Sequence, residues 1–467
     1  MRTVVSFALG IIAVAVALPL TAAASQRTFV ASYGVDGGNL TCSLANPCRT
    51  FNTAIGNTNP GGEVVILDTA GYGPMTITKS IKIIGPSGVY GGISVVGGGS
   101  GITTGIVINA ADTDEITLRG LDVSGVPGVA PFPDIGIDIQ SASAVHIEKS
   151  SIANFAQDTS ACVKVSVATT TRVYVVDSFL RECRNGVYAN GTVAVANRPS
   201  VMIDNTRIER GKNTSVSPVS TGVLMQGFID VSLRNSMISR QTVGVQFDGL
   251  LANNVSHLEI INGELTRNNT GVAFSNTTAN ARGQITLTGS QIFGSTDAIT
   301  VANSGIGGSP QLLLVDTTIA YTSNSGVVLA NSAADNNTYI HAEMNRSQIN
   351  NITATALDIS ATNGSKLDVI LRDSQLAQAA TGLKTSGSGA GGYAAASLVQ
   401  STVTGTTTAI DHGFGTVRLQ SSHIVFNNKD FVNSGSGTIV SNGQNMVHDN
   451  ADPAGPTYIT PTVIPLK

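Results

Sequence analysis

The chain has 467 residues, of which 12% are charged, 5% aromatic and none Trp; it carries 51 Gly and a formal net charge of −4. A slightly acidic chain lacks the basic footprint by which nucleic acid or an anionic membrane is recognised. So few charges, with much Gly, Asn, Ser, Thr and Val, suit many short strands joined by tight turns.

At the N-terminus, Arg2 precedes an apolar stretch over 4–20 and small residues at 21–24. This reads as a Sec-type export signal, residues 1–24, cleaved near Ser25. The stretch is short for a membrane span, and no later segment is apolar enough to cross a bilayer. The expected location is secreted or periplasmic, with no transmembrane segment in the mature chain.

Residues 25–62 read as an N-terminal cap. Cys42 and Cys48 close the short loop TCSLANPC and are expected to pair, since export permits disulfides. Asn46 and Pro47 precede CRTFNTAIG as cap and first residue of a short helix. Its apolar face, Phe51, Ala54 and Ile55, suits a plug for the open end of a repeat stack. A strand EVVIL follows over 63–67, and TITKSIKIIG over 76–85.

From there to about residue 441 the chain repeats. The pattern apolar-x-apolar-x-x-Ser/Thr-x-apolar reads VHIEKSSI from Val145, VYVVDSFL from Val173, VMIDNTRI from Val201 and VSLRNSMI from Val231. It recurs, mostly every 27–30 residues, to VRLQSSHI from Val417. About 13 residues into most copies comes a second apolar element, such as GVYA at Gly186 or GVQF at Gly244. The alternation has period two, so each repeat holds three short strands. Propeller blades and leucine-rich repeats need a different period or frame. The fold class is therefore all-β, a right-handed parallel β-helix over 63–441 with a short N-terminal capping helix. Ile147, Val175, Ile203, Leu233, Ile260, Leu287 and Leu314 should form one inward column, and the Ser/Thr positions a hydroxyl ladder at a turn. Cys162 and Cys183 fall in neighbouring coils, either paired or as two small buried apolar residues. Residues 442–467, rich in Pro, read as a C-terminal cap or loose tail.

The order signal peptide, CxxxxxC loop, RTFNTAI, PGGEVVIL, AGYGPMTITKSIKIIG and then coils resembles bacterial secreted proteins of the pectate-lyase-like right-handed β-helix superfamily. The resemblance spans nearly all the mature chain. It implies the fold and a tendency towards polysaccharide chemistry; fold alone does not give function. Lyases of that fold use an Arg or Lys base with acidic residues holding Ca²⁺, and glycosidases use clustered Asp pairs. No Asp-Asp pair occurs in this chain. His412 in DHGFG falls in an apolar-alternating strand and reads as structural.

The coils between 145 and 240 concentrate charge. Arg181 and Glu209 share an outward column by register, and Arg207 lies on the same face as Glu209. Glu148, Tyr174 and Asp204 are outer candidates, and the insertion 211–220 is placed to overhang this wall. Arg would neutralise a uronate or act as a base, and Glu would orient it or hold a cation. The alternative is a set of surface ion pairs of little energetic worth. Without a recognisable catalytic constellation, the reading is an exported or surface protein that binds a polysaccharide or a surface protein. The alternatives are a lyase or hydrolase with a divergent site on this wall, with Ca²⁺ only in that case, and an inert structural solenoid. No other cofactor is expected.

Overall fold

The structure, a computed structural model, describes residues 25–451 except 97–102, 127–132, 158–159, 194–197, 213–218, 336 and 390, and adds a strand at Thr462–Val463. The expected signal peptide, most of the 211–220 insertion and most of the Pro-rich tail lie outside the described residues.

Each repeat is one turn of a right-handed parallel β-helix. One coil runs through a first strand, Arg172–Val176, a second, Phe179–Arg181, and a third, Asn185–Gly191. The next repeats this with Ser200–Asp204, Arg207–Glu209 and Thr221–Gly227. First strands stack into a 17-stranded sheet, and second and third strands share a 27-stranded one. Every described pairing joins a strand to its equivalent in an adjacent coil, in parallel, for example Val173↔Val201↔Val231.

Burial of the apolar columns explains why the coils stack. Ile147, Val175, Ile203, Leu233, Ile260, Leu287 and Leu314 sit in register, each at most 1% exposed. A single coil has nothing to bury these side chains against; its neighbours above and below supply the partner.

The hydroxyl ladder lies at the corner between first and second strands. Ser150, Ser178, Thr206 and Ser236 are all buried. Each hydroxyl donates to a carbonyl of its own coil, as Ser178 Oγ does to Val176 at 2.8 Å. It also accepts a backbone N–H from the preceding coil: Ser150 to Ser178 at 3.2 Å, Ser178 to Thr206 at 3.3 Å and Thr206 to Ser236 at 3.0 Å. The bonds run from hydroxyl to backbone, which satisfies the groups that a corner takes out of the strand ladder. The corner residue before each hydroxyl is left-handed, as at Asp177, Asn205 and Asn235; Asn and Asp tolerate this conformation best after Gly.

Both ends differ from the sequence reading. Ser25–Val30 already pairs in parallel with Thr58–Ile66, so sheet formation begins ahead of the boundary expected at 63. The helix is Phe51–Gly56 with Thr50 as its cap, not a helix started by Asn46 and Pro47. The Asp36 carboxylate accepts the backbone N–H groups of Arg49 at 2.7 Å and Thr50 at 3.1 Å, which holds that stretch in a loop. Phe51, Ala54 and Ile55 are buried as expected. Beyond 441, Met446–His448 still pairs with His423–Val425.

Both cysteine pairs are disulfides: Cys42–Cys48 within the loop, and Cys162–Cys183, with Cα atoms 5.6 Å apart, across adjacent coils. Among the described residues no helix is long and apolar enough to cross a membrane.

Leu233 stands between Ile203 and Ile260 in the middle of the inward column. Leu233→Asp would bury an unpaired carboxylate at a cost of several kcal/mol. The expected outcome is a large fall in melting temperature, or loss of folded protein on expression; an unchanged melting curve would contradict the register.

Candidate functional site

The coil corners distribute the sequence-predicted site residues over more than one wall. Arg181, Arg207 and Glu209 stand on the second strands, and Arg181 is the register partner of Glu209. Their side chains pair differently: Arg207 Nε donates to Glu209 Oε1 at 3.0 Å, and Arg181 reaches Glu182 at 3.4 Å. Glu148 and Asp204 close first strands near the corner. Glu148 is held by Arg119 Nε at 2.7 Å, and Asp204 accepts Asn235 Nδ2 at 3.0 Å. Tyr174 lies on the outer face of the first strands, stacked on His146 with ring centroids 4.7 Å apart and planes 11° apart. These six residues therefore do not converge on one point.

A different set does converge, on the outer face of the third strands. Asp138, Lys164, Tyr188 and Leu224 occupy one column in consecutive coils. Asn190 and Gln226 are in register in the parallel column two residues on. A groove of about 560 Å³ lies on this face, lined by Lys164, Tyr188, Leu224, Gln226, Gln246 and Asp248. Its side chains form a chain of hydrogen bonds. Asn190 Nδ2 donates to the Tyr188 hydroxyl at 3.2 Å, the hydroxyl donates to Gln226 Oε1 at 2.9 Å, and Gln226 Nε2 donates to Asp248 Oδ1 at 2.7 Å. Gln246 Nε2 adds a bond to Asp248 Oδ2 at 2.6 Å. Lys164 is in no ion pair among the described residues. Asp138, one coil below it, is 8% exposed. One of its carboxylate oxygens accepts from Gln140 at 2.8 Å, and the other has no partner among the described residues.

Such a site fixes donors and acceptors on a rigid wall before any ligand arrives. An unpartnered oxygen on a buried carboxylate is costly, and Asp138 carries one in the coil next to the groove. The sequence reading passed over Asp138, Lys164, Tyr188, Gln226 and Asp248, because three of the five are isolated charges and two are neutral. The available signal was register: aligned on the Gly-Val or Ala-Cys-Val of the third strands, Lys164 and Tyr188 fall at the same outward position.

A second depression, of about 470 Å³, lies on the outer face of the first strands between Tyr174 and Gln284. Asp230 accepts from Arg198 Nη1 at 2.9 Å and contacts His257 Nδ1 at 2.9 Å. Among the described residues no group of three or more His, Cys, Asp or Glu side chains is assembled for a metal ion.

His412 ends the strand Thr408–His412 and is 1% exposed, with Nδ1 lacking a hydrogen-bond partner among the described residues. That placement fits the structural role read from the sequence.

No protein-family profile matches this chain, and no curated protein matches it in sequence. Three solved structures illustrate its structural likenesses. The catalytic unit of a thermostable GH87 α-1,3-glucanase from Streptomyces thermodiastaticus aligns with TM-score 0.43 and 14% identity, over 84% of this chain and 64% of that one. The periplasmic alginate epimerase AlgG aligns with TM-score 0.42 and 10% identity, over 83% and 78%. XylC, solved with xylose, aligns with TM-score 0.43 and 10% identity, over 69% and 75%. The assignment of this molecule to the parallel β-helix class rests on its own strand pairings.

Burial pushes the His412 imidazole below its ordinary 6.5, partly opposed by the Asp411 carboxylate and a backbone bond at Val432. A depressed folded value means that the stability contribution is present above the unfolded value and lost as pH falls through and below it. The melting temperature should therefore drop as pH is lowered from about 7 to about 5. His412→Gln should flatten that profile; an unchanged slope in the variant would contradict the assignment.

Proposed function

We propose that this protein is an exported carbohydrate-binding β-helix whose glycan lies in the third-strand groove over Lys164, Tyr188, Gln226 and Asp248. The observation that carries this reading is the convergence of a phenol, two carboxamides, a carboxylate and an ammonium on one rigid groove. Sugar hydroxyls both donate and accept, so a glycan needs just such a mixture. The groove's volume is that of a site for a small molecule or a few sugar rings. The Tyr188 ring adds an apolar face, and the bonds at its hydroxyl hold it in place. Export is supported by the signal-like residues 1–24 and by two disulfides, which persist in oxidising compartments.

A second reading is favoured by Asp138. A buried carboxylate with one oxygen unpartnered among the described residues, one coil from Lys164 and two from Tyr188, is raw material for proton transfer at a uronate bound beside it. Lys164 would neutralise the sugar carboxylate, Asp138 would take the C5 proton, and the Tyr188 phenol would give its proton to the glycosidic oxygen as the C4–O bond breaks and the C4–C5 double bond forms. This is the lyase-like alternative, placed on the third strands of the same coils.

Binding is tested by screening acidic and neutral oligosaccharides, then titrating the best ligand calorimetrically. Tyr188→Phe and Lys164→Ala should each weaken it by about tenfold or more, the ~1.4 kcal/mol expected of one or two lost polar contacts. Met202→Ala, on a different wall, should bind as wild type. Equal affinity in all three variants would remove the groove from consideration. Product formation lost in Asp138→Asn with binding retained would establish the second reading.

A further inference from the structure

Going beyond the third-strand groove, the corner between second and third strands carries a separate feature. Its residues are left-handed in coil after coil, and in three consecutive coils the corner residue is Arg: Arg210, Arg240 and Arg267, with φ of 54°, 56° and 55°. All three side chains are exposed. None is in an ion pair among the described residues, in contrast to Arg119, Arg198, Arg207, Arg234 and Arg346. Stacked strands are about 4.8 Å apart, so the three guanidinium groups form a file with that repeat along the helix axis.

The file lines a trough of about 670 Å³ shared with Arg207, Glu209 and Glu264. Its four Arg and two Glu leave it at +2 in a chain whose net charge is −4. The next corner residue is Gly294, which has no side chain, so the trough stays open above Arg267. It ends on an aromatic shelf, Phe293 and Tyr321, with ring centroids 6.4 Å apart and Tyr321 66% exposed.

We propose that this trough is a docking site for a linear acidic polysaccharide running along the helix axis. Three unpaired guanidinium forks in file match carboxylates carried at regular intervals on an extended polymer, each able to engage one in a bidentate pair. The aromatic shelf offers a flat apolar surface to the face of a terminal sugar ring. Duplex nucleic acid carries a charge every ~1.7 Å of axis and needs a far broader basic surface than one file of Arg. The site stands on a different wall from the groove over Tyr188, so a chain held here is tethered close to that groove and raises its local concentration there.

The test uses the triple variant Arg210→Ser, Arg240→Ser, Arg267→Ser in the wild-type chain and in the Lys164→Ala chain. Binding of polygalacturonate is measured by affinity electrophoresis and calorimetry, with fully methyl-esterified polygalacturonate, poly-glutamate and single-stranded DNA as comparison probes. The expected result is an affinity for polygalacturonate that falls about tenfold or more in the triple variant, in both backgrounds, with an unchanged melting temperature because the residues are exposed. It should also weaken with added salt and be absent for the esterified polymer. The proposal is overturned if the triple variant binds polygalacturonate like its parent. It is equally overturned if the esterified polymer, poly-glutamate or single-stranded DNA binds as well as polygalacturonate and is lost in the same variant. Failure of the groove reading looks different: Lys164→Ala alone would then leave binding untouched, while the triple variant still loses it.

Discussion

The stacking register governs this molecule. One coil lies on the next about 4.8 Å away, and each inward branched side chain sits on its equivalent, as Ile203 does between Val175 and Leu233. A slip of one residue would turn every inward Val, Ile and Leu outward. Because register is fixed, each outward position becomes a column, and the chemistry of a wall is set by what successive repeats place at one position. Lys164 and Tyr188 are neighbours because they occupy the same place in two repeats, 24 residues apart.

The same constraint separates stabilising features from functional ones. Stability resides in the buried columns and in the hydroxyl ladder that satisfies the corner amides. Some outward charges are paired between or within coils, such as Arg346 with Asp316 at 2.8 Å. Exposed pairs of this kind contribute little to folding. Among the described residues, Asp138 Oδ1 has no hydrogen-bond partner, and Lys164, Arg210, Arg240 and Arg267 are in no ion pair. Two walls of one set of coils thus present two kinds of chemistry, mixed donors and acceptors on one and an excess of Arg over Glu on the other.

Much of the fold was legible because a repeat writes the same physical demand many times. Period-two alternation located the strands, the Ser and Thr positions located one corner, and the inward column was correct at every residue named. The ends were less legible because each occurs once. Asn46 and Pro47 are good helix starters in isolation, but the Asp36 carboxylate takes the amides that the helix would have used. The pairing of Cys162 with Cys183 depended on a distance across coils that spacing alone does not give. For the site, charge density marked one wall and passed over another. It led to Arg181, Arg207 and Glu209, of which the last two pair with each other. The groove on the third strands is built mainly from Tyr and carboxamides, which leave no mark in a charge profile. The Arg file was present in the sequence two residues beyond the eight-residue pattern, in I-E-R, I-S-R and L-T-R.

The central claim is that the outer face of the third strands is where this protein meets its glycan. Hydrogen–deuterium exchange of the folded chain with and without a bound acidic oligosaccharide addresses it most directly. The account predicts added protection in peptides covering Ala161–Val167, Asn185–Gly191 and Thr221–Gly227, with the first strands unchanged. Protection confined to the first strands around Tyr174, or no change anywhere at saturating ligand, would contradict it.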